Sequence, residues 1–193
     1  MEGGSHVKKV GMALVVSLMV IAIGALDGFA FKLGGKELVL NGTGVRTKGI
    51  LGTLYYLALY VPESLKGKDA KTIIEANEPM AMILTIDSRL LTRERFLEAT
   101  NEGFAKAAAS GYSSPKKQAF IDQFKSVNFT KGDVIGFYYT PDALTSTFKV
   151  KATGETKTVG TIAGIDIKKA LFAIWLGPNP VQANLKESLL KGK

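Results

Sequence analysis

The nine residues Thr53 to Val61, TLYYLALYV, constrain the fold of this chain most. In an extended strand successive side chains alternate, so Tyr55, Leu57 and Leu59 share one face and Leu54, Tyr56, Ala58 and Tyr60 the other. Both faces are mostly apolar. Such a strand is either central to a packed sheet or has one face lining an apolar cavity. Upstream lies Asn41 to Lys48, NGTGVRTK, which sets Arg46 beside this apolar strand. A guanidinium stays charged at physiological pH, and its fork of donors fits carboxylates, phenolates and phosphates. Arg46 therefore points to an anion site with a hydrophobic wall. The plainer reading, favoured on spacing alone, is an arginine at a strand end with its stem packed and its head in water.

The remaining pattern alternates strands and helices. Phe31 to Leu33, a Gly34-Gly35 turn and Lys36 to Leu40 read as strands ending at a hairpin-type signal, Asn41-Gly42. Val45 to Ile50 is the next strand, with Gly49 and Gly52 marking a turn into Thr53 to Val61. Asp69 caps a short helix from Ala70 to Ala76, and Met80 to Asp87 is a buried strand. Thr92 caps a long helix to about Ser110, stopped by Gly111, and Ser114-Pro115 opens a second one carrying Phe120, Ile121, Phe124 and Val127. Val134 to Tyr139, Ser146 to Lys151 and Lys157 to Ile162 form a meander, followed by helices over Ile167 to Leu176 and Val181 to Leu190. This order implies an α+β fold, with helices covering one face of a large, mostly antiparallel sheet.

The first 30 residues differ from the rest. Lys8 and Lys9 precede an uncharged run from Val10 to Leu26, with small residues at Gly28 and Ala30, the layout of a secretory signal. An uncleaved anchor is the competing reading, since the run falls just short of the roughly 18 to 20 residues of a spanning helix. The expected organisation is thus a signal peptide over 1–30 behind a non-native-looking start, then one domain over 31–193, exported to the periplasm or beyond. Without residues 1–30, which hold two lysines and two acids, the chain keeps 23 basic and 15 acidic residues and its net charge of +8. The lysines are spread along the sequence, a pattern of a solvated surface biased toward anionic partners. Nucleic acid is not expected.

The single histidine, His6, precedes the apolar run, and cysteine is absent. Beyond residue 30 the chain thus lacks the usual soft metal ligands, a cysteine nucleophile, the histidine of a catalytic triad and the commonest general base. No metal and no cofactor are expected, and chemistry would rest on Arg, Lys, Tyr, Asp, Glu or water.

Several segments together resemble the chalcone isomerase-like family, in particular its secreted bacterial branch. They are Gly42-Thr43-Gly44-Val45-Arg46-Thr47-Lys48 with Tyr55 to Val61, Asn101-Glu102-Gly103-Phe104, Lys131-Gly132-Asp133, Gly160 to Gly164, Ala170 to Gly177 with Trp175-Leu176-Gly177, Pro180-Val181 and Leu185-Lys186. The resemblance implies an open-faced β-sandwich with a ligand cleft between sheet and helices. Isomerases of this family cyclise a chalcone to a flavanone, whereas related members hold a fatty acid in the same cleft. Arg46 matches the family arginine common to both groups. Tyr55 stands where isomerases carry a threonine and the fatty-acid binders a tyrosine. Asn101 falls at the isomerase asparagine, but the catalytic tyrosine is replaced by Glu94, and the last site threonine by Ile174. A shift of one residue would put an arginine, rather than a tyrosine, at the helical position.

These departures disfavour the cyclisation, which needs donors aimed at an oxygen that becomes negative. An arginine beside a tyrosine hydroxyl suits a static carboxylate. The leading expectation is a noncatalytic, monomeric binder of a fatty acid or similar apolar anion, with Arg46, Tyr55, Asn101 and Ile174 at the site and membrane contact only through the N-terminal segment. An intramolecular lyase acting on an enone through Arg46 and Asn101 is one alternative. An envelope structural or interaction module is the other.

Overall fold

The computed structural model describes residues 30–192, so the signal or anchor expected over 1–30 lies outside the described residues apart from Ala30. Among these residues seven strands form one sheet in which every neighbour in sequence is an antiparallel neighbour in space. They are β1 (Phe31–Leu33), β2 (Lys36–Thr47), β3 (Thr53–Pro62), β4 (Met80–Ile86), β5 (Val134–Thr140), β6 (Ala143–Lys149) and β7 (Thr156–Ala163). Among the described residues five α-helices accompany them: α1 (Ala70–Glu75), α2 (Arg93–Ala109), α3 (Lys117–Asp122), α4 (Ile165–Leu176) and α5 (Ala183–Leu189).

The helices cover one face, as expected from the order of strands and helices. Leu57, Leu59 and Val61 of β3, Met82 and Leu84 of β4 and Phe137 of β5 are buried against α4, whose Leu171, Phe172 and Leu176 are also buried. Aromatic rings fill the layer: Phe96, Phe120, Phe124 and Phe137 meet at centroid separations of 5.2 to 6.3 Å, tilted or edge to face, orientations that suit the ring quadrupoles. The opposite face carries a smaller cluster of Leu33, Leu38 and Ala81 with Phe31, Tyr60 and Tyr138 packed on it. That cluster is why β3 is apolar on both sides.

Two polar anchors tie the helices down. Lys168 of α4 is fully buried, and its ammonium donates to the carbonyls of Ile73, Ile74 and Ala76 at 2.8 to 2.9 Å. It thereby satisfies the otherwise orphaned carbonyls at the end of α1. Burial, with Lys169 nearby, pushes its pKa down to about 7, against the pull of Glu75. Asp133, also buried, accepts from Thr130 and from the Lys151 amide, closing the turn ahead of β5 onto the end of β6.

The structure corrects the expectation at Asn41-Gly42. No hairpin forms there: β2 runs unbroken from Lys36 to Thr47, and Asn41 is the extra residue of a bulge between Leu40 and Gly42. Tertiary packing overrides the turn propensity. Helix α5 lies so close on β2 that a Cβ on Gly42 would run into the Ser188 and Leu189 backbone, the latter oxygen 2.7 Å away, and one on Gly44 would meet Leu185. The buried Asn41 side chain donates to the Leu189 carbonyl at 2.7 Å and accepts from Gly67 at 2.8 Å. Helix α3 is shorter than expected: it ends at Asp122, and Phe124 and Val127 are buried in the segment that follows it. The other elements fall near their expected positions, with β6 starting earlier because Pro141-Asp142 makes a two-residue turn, Asp142 at φ 98°.

Candidate functional site

Antiparallel register places Arg46 directly opposite Tyr55, next to the turn that joins β2 to β3. Between this hairpin, α2 and the end of α4 lies a cavity of about 300 Å³. Its apolar wall is made by Leu54, Leu84, Phe96, Ile174, Trp175 and Val181. Its polar side carries Arg46, Lys48, Tyr55, Arg95 and Lys106, with Glu98 and Glu102 on α2. Residues 95, 99, 102 and 106 recur every three or four positions, so a single side of α2 forms the length of the wall. Gly103 lets α2 approach α4: a Cβ there would stand 2.7 Å from Ile174 Cγ2.

The head of the cavity is a small hydrogen-bond system. Arg46 Nη1 donates to Gln182 Oε1 at 2.8 Å and to the Thr47 carbonyl at 2.9 Å. The same Gln182 oxygen accepts from the Thr47 amide, and its amide nitrogen donates to the Val45 carbonyl. Gln182, just ahead of α5, thus fixes both the strand end and the guanidinium. Among the described residues only Nη1 of Arg46 is engaged, leaving its other donors available. Tyr55 is half-buried, and its oxygen accepts a 2.9 Å hydrogen bond from Trp175 Nε1. Indole is donor only, so the phenol proton remains to be given to a ligand. Burial pushes Tyr55 up to about 12, with the Trp175 bond and the charge of Arg46 opposing it. At neutral pH this group is a neutral donor.

Of the expected site residues, the structure brings Arg46, Tyr55 and Ile174 together around one cavity. It does not bring Asn101. That side chain lies on the exposed side of α2 and accepts from Lys117 Nζ at 2.7 Å. Its position follows from helix geometry, since Asn101 is two residues from Gly103, which is buried against α4. Glu94 is likewise exposed, in the first turn of α2 and paired with Arg93, while Arg95 one residue on borders the cavity. Sequence reasoning missed three participants. Gln182 carries no local signal, Trp175 entered only within a family segment, and Lys106 only as one of the lysines spread along the sequence.

Within the described residues no group of three or more His, Cys, Asp or Glu is placed to hold a metal ion. The arrangement offers fixed cationic and neutral donors at the head of an apolar hollow. That is chemistry for holding an anion with a hydrophobic tail. The fold and site define a class, an α+β open-faced sandwich with an arginine-headed cleft between its sheet and its helices.

The chalcone isomerase-like family matches residues 26–191, and the chain belongs to that family. Among solved structures it is similar to the crystal structure of an Arabidopsis thaliana fatty-acid binding protein, with 18% identity and a TM-score of 0.60. That alignment covers 86% of this chain and 96% of the plant protein. At this identity the likeness speaks for the fold. No curated protein matches the sequence.

Proposed function

We propose that this protein is a noncatalytic binder of a fatty acid or similar apolar anion, held with its carboxylate on Arg46 and Tyr55 and its tail along Leu54, Leu84, Phe96 and Ile174. The observation that carries this reading is the pairing of a partly free guanidinium with a phenol donor at the head of a hollow that has one apolar wall. Arg46 supplies charge, Tyr55 supplies a neutral hydrogen bond, and Trp175 and Gln182 hold the two in place before any ligand arrives. Preorganisation of this kind reduces the ordering cost of binding. A fatty-acid binding protein with the same fold lends support.

The lyase alternative draws less from the geometry. Its asparagine candidate, Asn101, faces solvent, and Ile174 offers no donor to a developing oxyanion. Lys8 and Lys9 ahead of the uncharged run from Val10 to Leu26 further support a carrier exported from the cytoplasm.

Displacement of a fluorescent fatty acid tests the proposal. Arg46→Ala should weaken binding by about 1.5–3 kcal/mol, the usual size for a hydrogen bond to a charged group, which is roughly a tenfold to hundredfold loss. An unchanged affinity in that variant would remove the proposed carboxylate site.

A further inference from the structure

The cavity reaches the end of the sheet at which Lys48 and Leu90 line it. Register places four loops at that end: the β2–β3 turn, the segment after β4, the turn before β5 and the β6–β7 connection. At the tip of the first stands Ile50, wholly exposed between Gly49 and Gly52, both at positive φ and with nothing near where a Cβ would be. Leu90, in the second, is 43% exposed and also borders the cavity. An isolated exposed aliphatic is ordinary, but here it crowns a loop held closed by two backbone hydrogen bonds, Lys48 N–H to Gly52 O and Gly52 N–H to Gly49 O.

The charge around these side chains has one sign in excess. Lys48 flanks Ile50, Arg95 borders the cavity, and Arg89, Lys131 and Lys151 surround a shallow depression beside Phe129. Of the acids near this end, Asp87 pairs with Lys131 at 3.0 Å, Glu94 with Arg93 at 2.8 Å, and Asp133 is buried, leaving Glu155 on the β6–β7 turn and, along the cavity on α2, Glu98 and Glu102. An apolar tip ringed by cations matches the acyl region and phosphate level of an anionic bilayer.

We infer that this end of the sheet docks on an anionic lipid bilayer, with Ile50 entering the acyl boundary and Lys48, Arg89 and Lys151 on lipid phosphates, so that the cavity mouth faces the membrane. The surface belongs to the folded domain and acts independently of any N-terminal segment. Exchange of an apolar anion with the bilayer through this mouth rests on the proposed carrier reading. Docking itself does not.

The absence of cysteine allows a local test on the full chain. A fluorophore sensitive to polarity is attached through Ile50→Cys, and as a control through Lys71→Cys, which is exposed near the opposite end of the sheet. Vesicles of phosphatidylcholine alone, or mixed with phosphatidylglycerol, are added. The label at 50 should shift to the blue and be quenched by brominated acyl chains only on the mixed vesicles, an effect reduced by salt and by Arg89→Glu. The label at 71 should show neither. A label at 50 that stays water-like on mixed vesicles, whether or not the chain sediments with them, overturns the inference, as does equal quenching at both positions. Failure of fatty-acid displacement with the vesicle signal intact would instead overturn the carrier reading alone. In solution Ile50→Asp should leave displacement unchanged.

Discussion

Tyr55 concentrates the chemistry of the site into one side chain. It packs its ring on the core, accepts from Trp175 and keeps its proton for an incoming anion. Its ionisation is displaced upward by burial to about 12, above the value near 10 of an unfolded tyrosine. The unfolded chain therefore releases this proton first as the solution becomes alkaline. The contribution of this group to stability is complete below about pH 10 and is lost as pH climbs toward 12. Urea unfolding across that window should show a shallower alkaline decline in Tyr55→Phe than in the unmodified chain. The same variant should bind fatty acid about tenfold less tightly, one charged hydrogen bond's worth. It also leaves the Trp175 N–H without its acceptor, so a loss of about 1–3 kcal/mol in stability at neutral pH is expected.

At the scale of elements, α5 explains the glycines of the Asn-Gly-Thr-Gly segment. The helix rests on β2 where side chains are missing, and the chain leading into it delivers Gln182 to Arg46. Seating of α5 is therefore expected to orient the guanidinium. Gly42→Ala would force the Ser188–Leu189 backbone away, at a cost of about 1–3 kcal/mol for overpacking. Hydrogen exchange should speed up across residues 183–189, and fatty-acid affinity should fall although no residue of the cavity has changed. Wild-type exchange and affinity in this variant would show that α5 and Arg46 are not coupled.

The molecule as a whole sets the size of what it can hold. Small-molecule pockets run from about 300 to 1,000 Å³, so a cavity near 300 Å³ suits a short or medium acyl chain. Ile174 limits it at the crossing of α2 and α4. Truncation in Ile174→Ala should shift the preferred chain length upward in a displacement series, at a stability cost of about 2–5 kcal/mol for a large-to-small core change. A preference unaltered by that change would place the tail elsewhere. The net charge of +8 also favours approach of anions from a distance, a steering that salt weakens.

The sequence by itself determined the sheet and most of its helices, because period-two alternation, caps such as Asp69 and Thr92, and stops such as Gly111 are local signals. It also marked Arg46 and Tyr55, since a charge beside a two-sided apolar strand is visible in a short window. Only the tertiary structure decided that Asn41-Gly42 bulges instead of turning, that Gln182 clamps the arginine across 136 positions, and that Trp175 aims the phenol across 120. For the same reason Asn101 lies outside the cavity and Arg95, rather than Glu94, borders it. Which side of a helix meets a cavity depends on the neighbours against which it packs, and those contacts join residues far apart in the chain.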